Sequence, residues 1–456
     1  MGKALFNGKV IYRDILDQKG PFLYFVYGLA YLLSHTTFRG VFLMELILAT
    51  VFLCFAKKSI ELYVKPGIAC MLLPVLAAII YSSVSFYWGG SAEEVELPFF
   101  SIGLYLLLKH YKEKESIFQR KEIFVSGLCA GFILLIKFNS LGFFAAWMLV
   151  VVISRMLKGQ WKELLFDCGI FLGGMLLPSV PWFIYFAVNK SLFYWYQGYI
   201  YYNVFVYSDL SDEAMTLGIR AYKLAKILYW QIIVNIRYFC FIILGVIGLL
   251  VSRKRVIWEK LAVLGLCFFT FLGIYIGGVE LMYYSLPLSV FAILGMIPVG
   301  QALDWLYEQL RDGHLVLVFS TGIVIFAASL IFANAFSMNT EYRKTTKEES
   351  YLYQLAQQIP EAEDNTLLNI GCLDAGLYTV TGIVPNCYWF QTQTILYDQV
   401  RKEQQRYIEE HQVKYVISRG YEPEYIENAG YELIYQAPAK LHEGKDTVFY
   451  LYELKN

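Results

Sequence analysis

The sequence predicts an all-α polytopic membrane bundle that carries a small α/β domain at its C-terminal end. Of its 456 residues 57% are hydrophobic and 17% are charged, and a soluble protein of this length needs more charge to cover its surface. Apolar runs close to bilayer length recur as far as residue 336, and the composition then becomes polar. We therefore expect three parts: a partial outer loop with an interfacial helix at 1–38, the bundle at 39–336, and an extracytoplasmic domain at 337–456.

Ten apolar segments predict membrane spans, and one shorter segment at 20–35 suits a helix that lies in the membrane interface. The high aromatic content, 18%, fits interfacial belts and stacking on sugar rings. The predicted spans lie at about 39–57, 67–86, 97–109, 123–137, 140–154, 165–188, 232–251, 261–279, 284–299 and 315–336.

Lysine and arginine concentrate in alternate loops, which predicts the orientation of the chain. The cationic loops are expected on the cytoplasmic side of the cytoplasmic membrane, and the N-terminal loop and the C-terminal domain on the opposite side. The loop at 300–314 gives no direction. The cationic loops are 57–65, 109–121, 155–162 and 253–260, and the loops expected outside are 93–96, 137–140, 189–231 and 277–280.

Other partners and cofactors receive little support from the sequence. The net charge is zero, so no field points to nucleic acid, and the five histidines do not pair at metal-ligand spacing. The run Asn369–Gly376 follows a strand-like segment but lacks the spacing of a dinucleotide-binding loop, so a structural or acceptor-contacting domain is favoured over a nucleotide site. Cys372 and Cys387 lie in a polar region, and a disulfide and two thiols are equally compatible with the sequence.

Several ionisable residues are expected to collect at the outer face, and such groups at span ends are functional hypotheses. A carboxylate can take the proton of an acceptor hydroxyl, and a cation can offset the charge of a departing phosphate. Structural alternatives exist: loop or capping roles for the acids near residue 14, and snorkelling for Lys19. Lys137 lies between two apolar runs without room for a solvated loop, so we expect it to face a cavity.

Four segments resemble bacterial GT-C glycosyltransferases of the protein O-mannosyltransferase type, relatives of the aminoarabinose transferase of lipid A. YRDILDQKGP at 12–21 is similar to the first-loop motif, and GGSAEEVELP at 89–98 is similar to the second acidic loop. GFILLIKFN at 131–139 resembles the corner of the family that contains a lysine and an asparagine, and 181–203 resembles the start of its large middle loop. The resemblance runs through most of residues 1–300.

The resemblance implies a GT-C bundle around an outward cavity, and transfer of a sugar from a polyprenyl-phosphate donor to an acceptor hydroxyl with inversion. The acceptor would be an envelope glycan, lipid or protein, with membrane lipid as a further partner and no nucleic acid. No cofactor is implied with certainty, and a divalent cation is compatible. The implied site residues are Lys19, Arg13 and Lys137 for the donor phosphate, Asp14, Asp17, Glu93 and Glu94 as supporting acids, and Asn139, Tyr283 and Tyr284 for the cavity.

The sequence departs from the family pattern at two points, which affects how the family's function and site residues apply to this chain. The principal catalytic Asp of the family lies upstream of Gly8, after a first transmembrane helix, so we expect this chain to be N-terminally truncated rather than an inactive protein. Relatives also carry a His-Tyr pair where this chain has Tyr283 and Tyr284. The alternatives are a flippase or transporter of lipid-linked sugars, a glycan polymerase or ligase, and a non-catalytic relative.

Overall fold

A computed structural model describes residues 1–115, 117–207, 216–309, 314–373, 376–440 and 446–455. The chain divides into two compact units, and each is discontinuous in sequence. The loop-and-sheet unit comprises Met1–Met44, Trp182–Asp212 and Tyr342–Asn456, and the bundle unit comprises Glu45–Pro181 and Glu213–Glu341. The predicted loops at 189–231 and 300–314 and the run 369–376 fall partly outside the described residues.

Each of the ten segments predicted as spans is helical. Among the described residues between 39 and 336, three stretches have 3₁₀ geometry, Phe138–Leu141, Leu177–Ser179 and Met282–Phe291. The α-helices described between residue 39 and residue 336 are α3 Arg39–Glu61, α4 Pro66–Tyr81, α5 Ala92–Lys112, α6 Arg120–Leu134, α7 Gly142–Leu157, α8 Trp161–Leu176, α9 Val180–Val188, the four-residue α10 Leu192–Trp195, α11 Leu217–Val234, α12 Ile236–Val251, α13 Ile257–Tyr275, α14 Ala292–Gln309 and α15 His314–Phe336.

Within the described ranges, six helical segments are long and apolar enough to cross a membrane, and there are seven if α11 and α12 form one span bent by 109°. Among the remaining predicted spans, α4 has 16 residues and α6 has 15, and α5 begins with a charged turn that contains Glu93 and Glu94. The chain is therefore a multi-pass membrane protein, as the sequence predicts.

Small residues set the spacing between α6 and α8. A Cβ atom on Gly127 would lie 2.2 Å from the Phe171 carbonyl oxygen, and one on Gly131 would lie 2.3 Å from that of Met175. Glycines four residues apart allow helix backbones to approach closely inside a membrane. Because α6 leads directly to Lys137, this contact fixes the position from which that side chain projects.

A four-stranded sheet with flanking helices confirms the α/β character of the C-terminal part. The strands are ordered β1-β2-β4-β3, with β1 and β2 parallel and the other pairs antiparallel. The strands are β1 Leu367–Ile370, β2 Tyr415–Arg419, β3 Tyr431–Lys440 and β4 Asp446–Leu454, and the remaining elements of the chain are α1 Gly2–Phe6, α2 Pro21–Leu33, the π-helix Tyr196–Val206, the 3₁₀ turn Met338–Lys344, α16 Tyr351–Gln357, α17 Leu377–Val380, α18 Tyr397–Glu409 and α19 Glu424–Asn428.

The N-terminal segment is built into the same unit as this sheet. Ala4 and Ile15 belong to the buried cluster that contains Leu367 of β1. Lys3 Nζ donates to the Tyr378 carbonyl oxygen at 2.8 Å. Residues of the segment 1–38, predicted as a partial outer loop with an interfacial helix, therefore share a hydrophobic core with residues near the other end of the chain.

The two cysteines of the polar region are not joined. Cys372 and Cys387, both within the described residues, are buried thiols. Cys372 Sγ lies 3.2 Å from the Asn369 side-chain oxygen, to which it donates. The structure therefore favours the thiol alternative over the disulfide.

Candidate functional site

The backbone of Lys19 is held from both sides by buried tyrosines. The Tyr12 hydroxyl donates to the Lys19 carbonyl oxygen at 2.6 Å, and the Lys19 amide donates to the Tyr24 hydroxyl at 2.8 Å. Tyr12 is fully buried and Tyr24 is 4% exposed. Within the described part of the chain, Lys19 Nζ has no hydrogen bond or ion pair, so its positive charge is not compensated by a bonded carboxylate.

Local backbone geometry places Lys19 directly before α2. Tyr12 has a left-handed conformation (φ 67°), and its amide donates to the Ile15 carbonyl oxygen at 2.8 Å, which closes a tight turn. Gly20 is extended and Pro21 is the first residue of α2, a position that favours proline. Burial, and after it the nearby Tyr199 and Asp17, raise the pKa of Tyr12, so its hydroxyl keeps the proton that it donates to Lys19.

Arg13, Asp14 and Asp17 make contacts that hold this loop together. Arg13 Nε pairs with Asp14 Oδ1 at 2.7 Å, and Arg13 Nη1 donates to the Asn189 carbonyl oxygen at 3.0 Å. Burial acts to raise the pKa of Asp14, but the bond from Arg13 and one from a backbone amide outweigh it, so the pKa lies below its usual value. Asp17 Oδ1 accepts from the amide of the following residue at 2.7 Å.

In the bundle unit, Lys137 forms a compact cluster with Glu93 and Tyr284. Lys137 Nζ lies 2.5 Å from Glu93 Oε1 and 3.4 Å from the centroid of the Tyr284 ring. Glu93 is 1% exposed, and the side chain of Lys137 is 11% exposed. The second oxygen of Glu93, Oε2, has no hydrogen-bond partner among the described residues. The charge of Lys137 is therefore compensated within the protein by a buried carboxylate and an aromatic face.

Glu94 has a different environment from its neighbour. Its amide donates to the Ser91 hydroxyl at 3.1 Å, and its Oε2 accepts from the Gly90 amide at 2.8 Å, so it closes the N-terminus of α5. The carboxylate of Glu45, on α3, lies beside it and interacts with it electrostatically. Glu45 is not among the residues predicted from the sequence, although a lone carboxylate inside an apolar span is a recognisable signal.

The remaining predicted cavity residues lie near a buried polar network at the break between α11 and α12. Asn139 Nδ2 lies 3.5 Å from the Ile274 carbonyl oxygen, and the Tyr283 ring lies 6.3 Å from that of Tyr87. Asn235 is 1% exposed and donates to the Ser285 hydroxyl at 3.1 Å. Asn235 is also absent from the predicted site residues, because an asparagine at the edge of an apolar run is typical of a helix terminus.

The predicted site residues thus fall into two groups. Arg13, Asp14, Asp17 and Lys19 belong to the loop-and-sheet unit, and Glu93, Glu94, Lys137, Asn139, Tyr283 and Tyr284 belong to the bundle unit. Inside the bundle unit Glu93, Lys137 and Tyr284 are in contact, whereas Glu94 is directed to Gly90 and Glu45.

No family model matches the chain, and no curated protein matches its sequence. Solved structures share its fold, among them two of ArnT from Cupriavidus metallidurans. The crystal structure bound to undecaprenyl phosphate has a TM-score of 0.65 at 13% identity, with 98% of this chain and 92% of that chain covered. The apo structure has a TM-score of 0.60 at 13% identity, with 99% and 91% covered. Identity this low establishes similarity of fold alone, and the chain therefore has the GT-C fold that the sequence motifs imply.

Proposed function

We propose that this protein is a glycosyltransferase that moves a sugar from a polyprenyl-phosphate donor to an acceptor hydroxyl at the outer face of the cytoplasmic membrane. The main support for the proposal is the environment of Lys19. Its main chain is hydrogen-bonded to Tyr12 and Tyr24, and its side-chain ammonium has no protein partner among the described residues. The fold supports it, because a protein of the same fold binds undecaprenyl phosphate in its crystal structure.

The surroundings of Lys19 suit a phosphate group. The 13-residue helix α2 starts two residues after it, and no side chain caps the N-terminus of that helix. Helix N-termini carry partial positive charge and are common binding sites for phosphate. An ammonium group and a helix N-terminus together offset the charge of a phosphate monoester better than either does alone. Arg13 is less suited to this role, since Asp14 and Asn189 occupy its guanidinium.

In the proposed reaction, the acceptor oxygen attacks the anomeric carbon from the side opposite the phosphate. A new glycosidic C–O bond forms, the C–O bond to the phosphate breaks, and polyprenyl phosphate leaves with the bonding electrons. The proton of the acceptor hydroxyl passes to a carboxylate. Lys19 stabilises the negative charge that develops on the leaving phosphate. We assign Asp17 a positioning role, because its carboxylate holds the backbone next to Lys19.

The test uses the full chain in lipid nanodiscs and has two readouts. Binding of undecaprenyl phosphate is measured by native mass spectrometry, and transfer of radiolabelled sugar from a polyprenyl-phosphate donor to envelope fractions is measured in parallel. Lys19→Met should weaken phosphate binding by about 10-fold or more, since hydrogen bonds to charged groups contribute roughly 1.5–3 kcal/mol. Lys9→Met is the matched control, because Lys9 is a partly exposed lysine of the same unit.

Equal effects of the two substitutions on binding would overturn the assignment of Lys19. Binding without transfer to any acceptor would leave a non-catalytic carrier-binding protein. Movement of the lipid-linked sugar across vesicle membranes without transfer would instead identify a flippase.

A further inference from the structure

The bundle unit contains a cavity of about 630 Å³ between α5, α7 and α13. This volume lies within the range of about 300–1,000 Å³ that small-molecule sites occupy. Its walls are largely aliphatic and aromatic, with Leu149 and Ile153 from α7 and Leu261 and Phe269 from α13. Leu149, Ile153 and Leu261 are 41%, 38% and 51% exposed, so the wall is open along two candidate spans rather than covered by other helices.

The cavity is separate from the Glu93–Lys137 cluster. Glu93 stands in the first turn of α5, whereas His110, which lines the cavity, stands in its last turn. Seventeen residues separate them, which corresponds to about 26 Å along an α-helix. The cavity therefore lies at the other end of the bundle unit, the end that carries the loops predicted to be cytoplasmic.

Three lysines from three different segments line the mouth of this cavity. Lys114 follows α5, Lys158 follows α7, and Lys254 precedes α13. Their convergence is a property of the tertiary structure, since they are spread over more than a hundred residues of sequence. An anion at the mouth would meet positive charge from all three sides.

Two acids also line the mouth, and one of them has a cationic partner. Glu115 Oε1 accepts a hydrogen bond from the neutral Gln119 side-chain amide at 2.5 Å, so its negative charge is not offset by that bond. Glu259 pairs with Arg255 and accepts a hydrogen bond from the Tyr63 hydroxyl at 3.1 Å. With Glu259 offset by Arg255, the three lysines face one remaining carboxylate, so the balance of charge at the mouth favours an anionic ligand.

The length of the cavity matches one leaflet of a bilayer. Its wall extends along α7 from Ala146 to Lys158, twelve residues or about 18 Å. The hydrocarbon core of a bilayer is about 30 Å thick, so one leaflet supplies about half of that. We propose that this cavity binds an anionic diacyl phospholipid of the surrounding membrane. An acyl chain would lie along α7 and α13, and the headgroup phosphate would lie among Lys114, Lys158 and Lys254. Basic pockets between spans on the cytoplasmic side are suited to such headgroups.

The first test changes the charge at the mouth. Binding of dioleoyl phosphatidylglycerol and dioleoyl phosphatidylcholine to the purified full chain is compared by native mass spectrometry. Lys114→Gln/Lys254→Gln should lower the apparent affinity for phosphatidylglycerol roughly 25-fold, since one lysine near a membrane surface contributes about 1 kcal/mol, or five-fold. The matched control, Lys121→Gln/Lys162→Gln, removes two exposed lysines of the predicted cytoplasmic loops that do not line the cavity, and should change nothing.

The second test fills the cavity with a larger side chain. It tests the proposal independently, should the charge variant fail to fold. Gly265 lines the cavity, and a Cβ atom added there meets open space. Gly265→Leu should abolish retention of phosphatidylglycerol while improving helix propensity. Gly169→Leu, on α8, is the control, since a Cβ atom there also meets nothing. Equal retention of both lipids by the unmodified chain, or retention of phosphatidylglycerol by the Gly265→Leu protein, overturns the proposal.

Discussion

Lys19 and Lys137 were both predicted to bind the donor phosphate, yet their surroundings differ. Lys137 is inserted between a buried carboxylate and an aromatic ring, with its ammonium 2.5 Å from Glu93. Among the described residues, Lys19 is bonded through its main chain, to Tyr12 and Tyr24. A lysine that is neutralised in a buried pair contributes mainly to the stability of the fold, whereas a lysine whose ammonium is not paired among the described residues could still bind an external anion. Lys137 is thus a cation neutralised inside the protein, whereas Lys19 is the cation to which the proposed function assigns the donor phosphate.

Loss of the buried cation should have the largest effect on stability. Lys137→Met leaves the Glu93 carboxylate buried without its counter-charge, which is expected to lower the free energy of unfolding by about 3–5 kcal/mol. The free energy is measured by unfolding in mixed micelles, followed by tryptophan fluorescence. The double variant Glu93→Gln/Lys137→Met should regain most of the loss. If Lys19→Met, expected to lie within about 0.5 kcal/mol of the unmodified chain, destabilises it equally, the distinction between the two lysines fails.

The loop that contains Gly89, just before α5 and Glu93, should tolerate substitution poorly. Gly89 has φ +81°, and an added Cβ atom would lie 2.3 Å from the Glu45 carboxylate. Gly89→Ala should therefore cost roughly 3 kcal/mol in the same unfolding assay, from strain and steric overlap together. Gly159 has a similar conformation, φ +67°, with nothing near its added Cβ atom, so Gly159→Ala isolates the strain and should cost about 1 kcal/mol. Equal costs would indicate that the contact with Glu45 is unimportant.

A smaller loss of stability is expected when one of the two tyrosine hydrogen bonds to the Lys19 main chain is removed. Tyr24→Phe removes the acceptor of the Lys19 amide, which should cost about 1–2 kcal/mol and weaken binding of undecaprenyl phosphate although Lys19 is still present. Tyr31→Phe on the same helix is the control, since no hydrogen bond of its hydroxyl is found among the described residues. Unchanged lipid binding in the Tyr24→Phe protein would mean that main-chain positioning of Lys19 is not required.

The smallest effect should come from Asp14, and it should depend on pH. Because the pKa of Asp14 is lowered in the folded protein, its stabilisation is present above the ordinary pKa of about 3.9 and is lost as pH falls through the lowered value. Asp14→Asn should therefore destabilise the chain by less than about 1 kcal/mol at pH 7, with no difference in strong acid. Unfolding measured at several pH values checks this. A difference independent of pH would exclude the charge of Asp14 as its cause.

Much of the architecture could be predicted because it depends on local properties of the chain. Hydrophobicity over about twenty residues identified ten segments, and all of them are helical. The polar composition after residue 336 predicts an α/β structure there, and the four-stranded sheet confirms that character. The candidate site was harder to predict from the sequence. Glu45 and Asn235 appear in the sequence as single polar residues in or beside apolar runs, and their importance depends on neighbours that the sequence does not identify.

By itself, the sequence determined the membrane class, the positions of the helices and the charged loop motif, because hydropathy, helix length and proline or glycine placement act over short distances. Only the tertiary structure decided which charges are compensated. Lys137 meets a carboxylate 44 residues away, and Lys3 bonds to a residue 375 positions away. It also joined the N-terminal loop to the C-terminal sheet in one hydrophobic core. Ion pairs and shared cores depend on distances in space between residues remote in the chain, and hydropathy, charge and spacing along the sequence do not specify those distances.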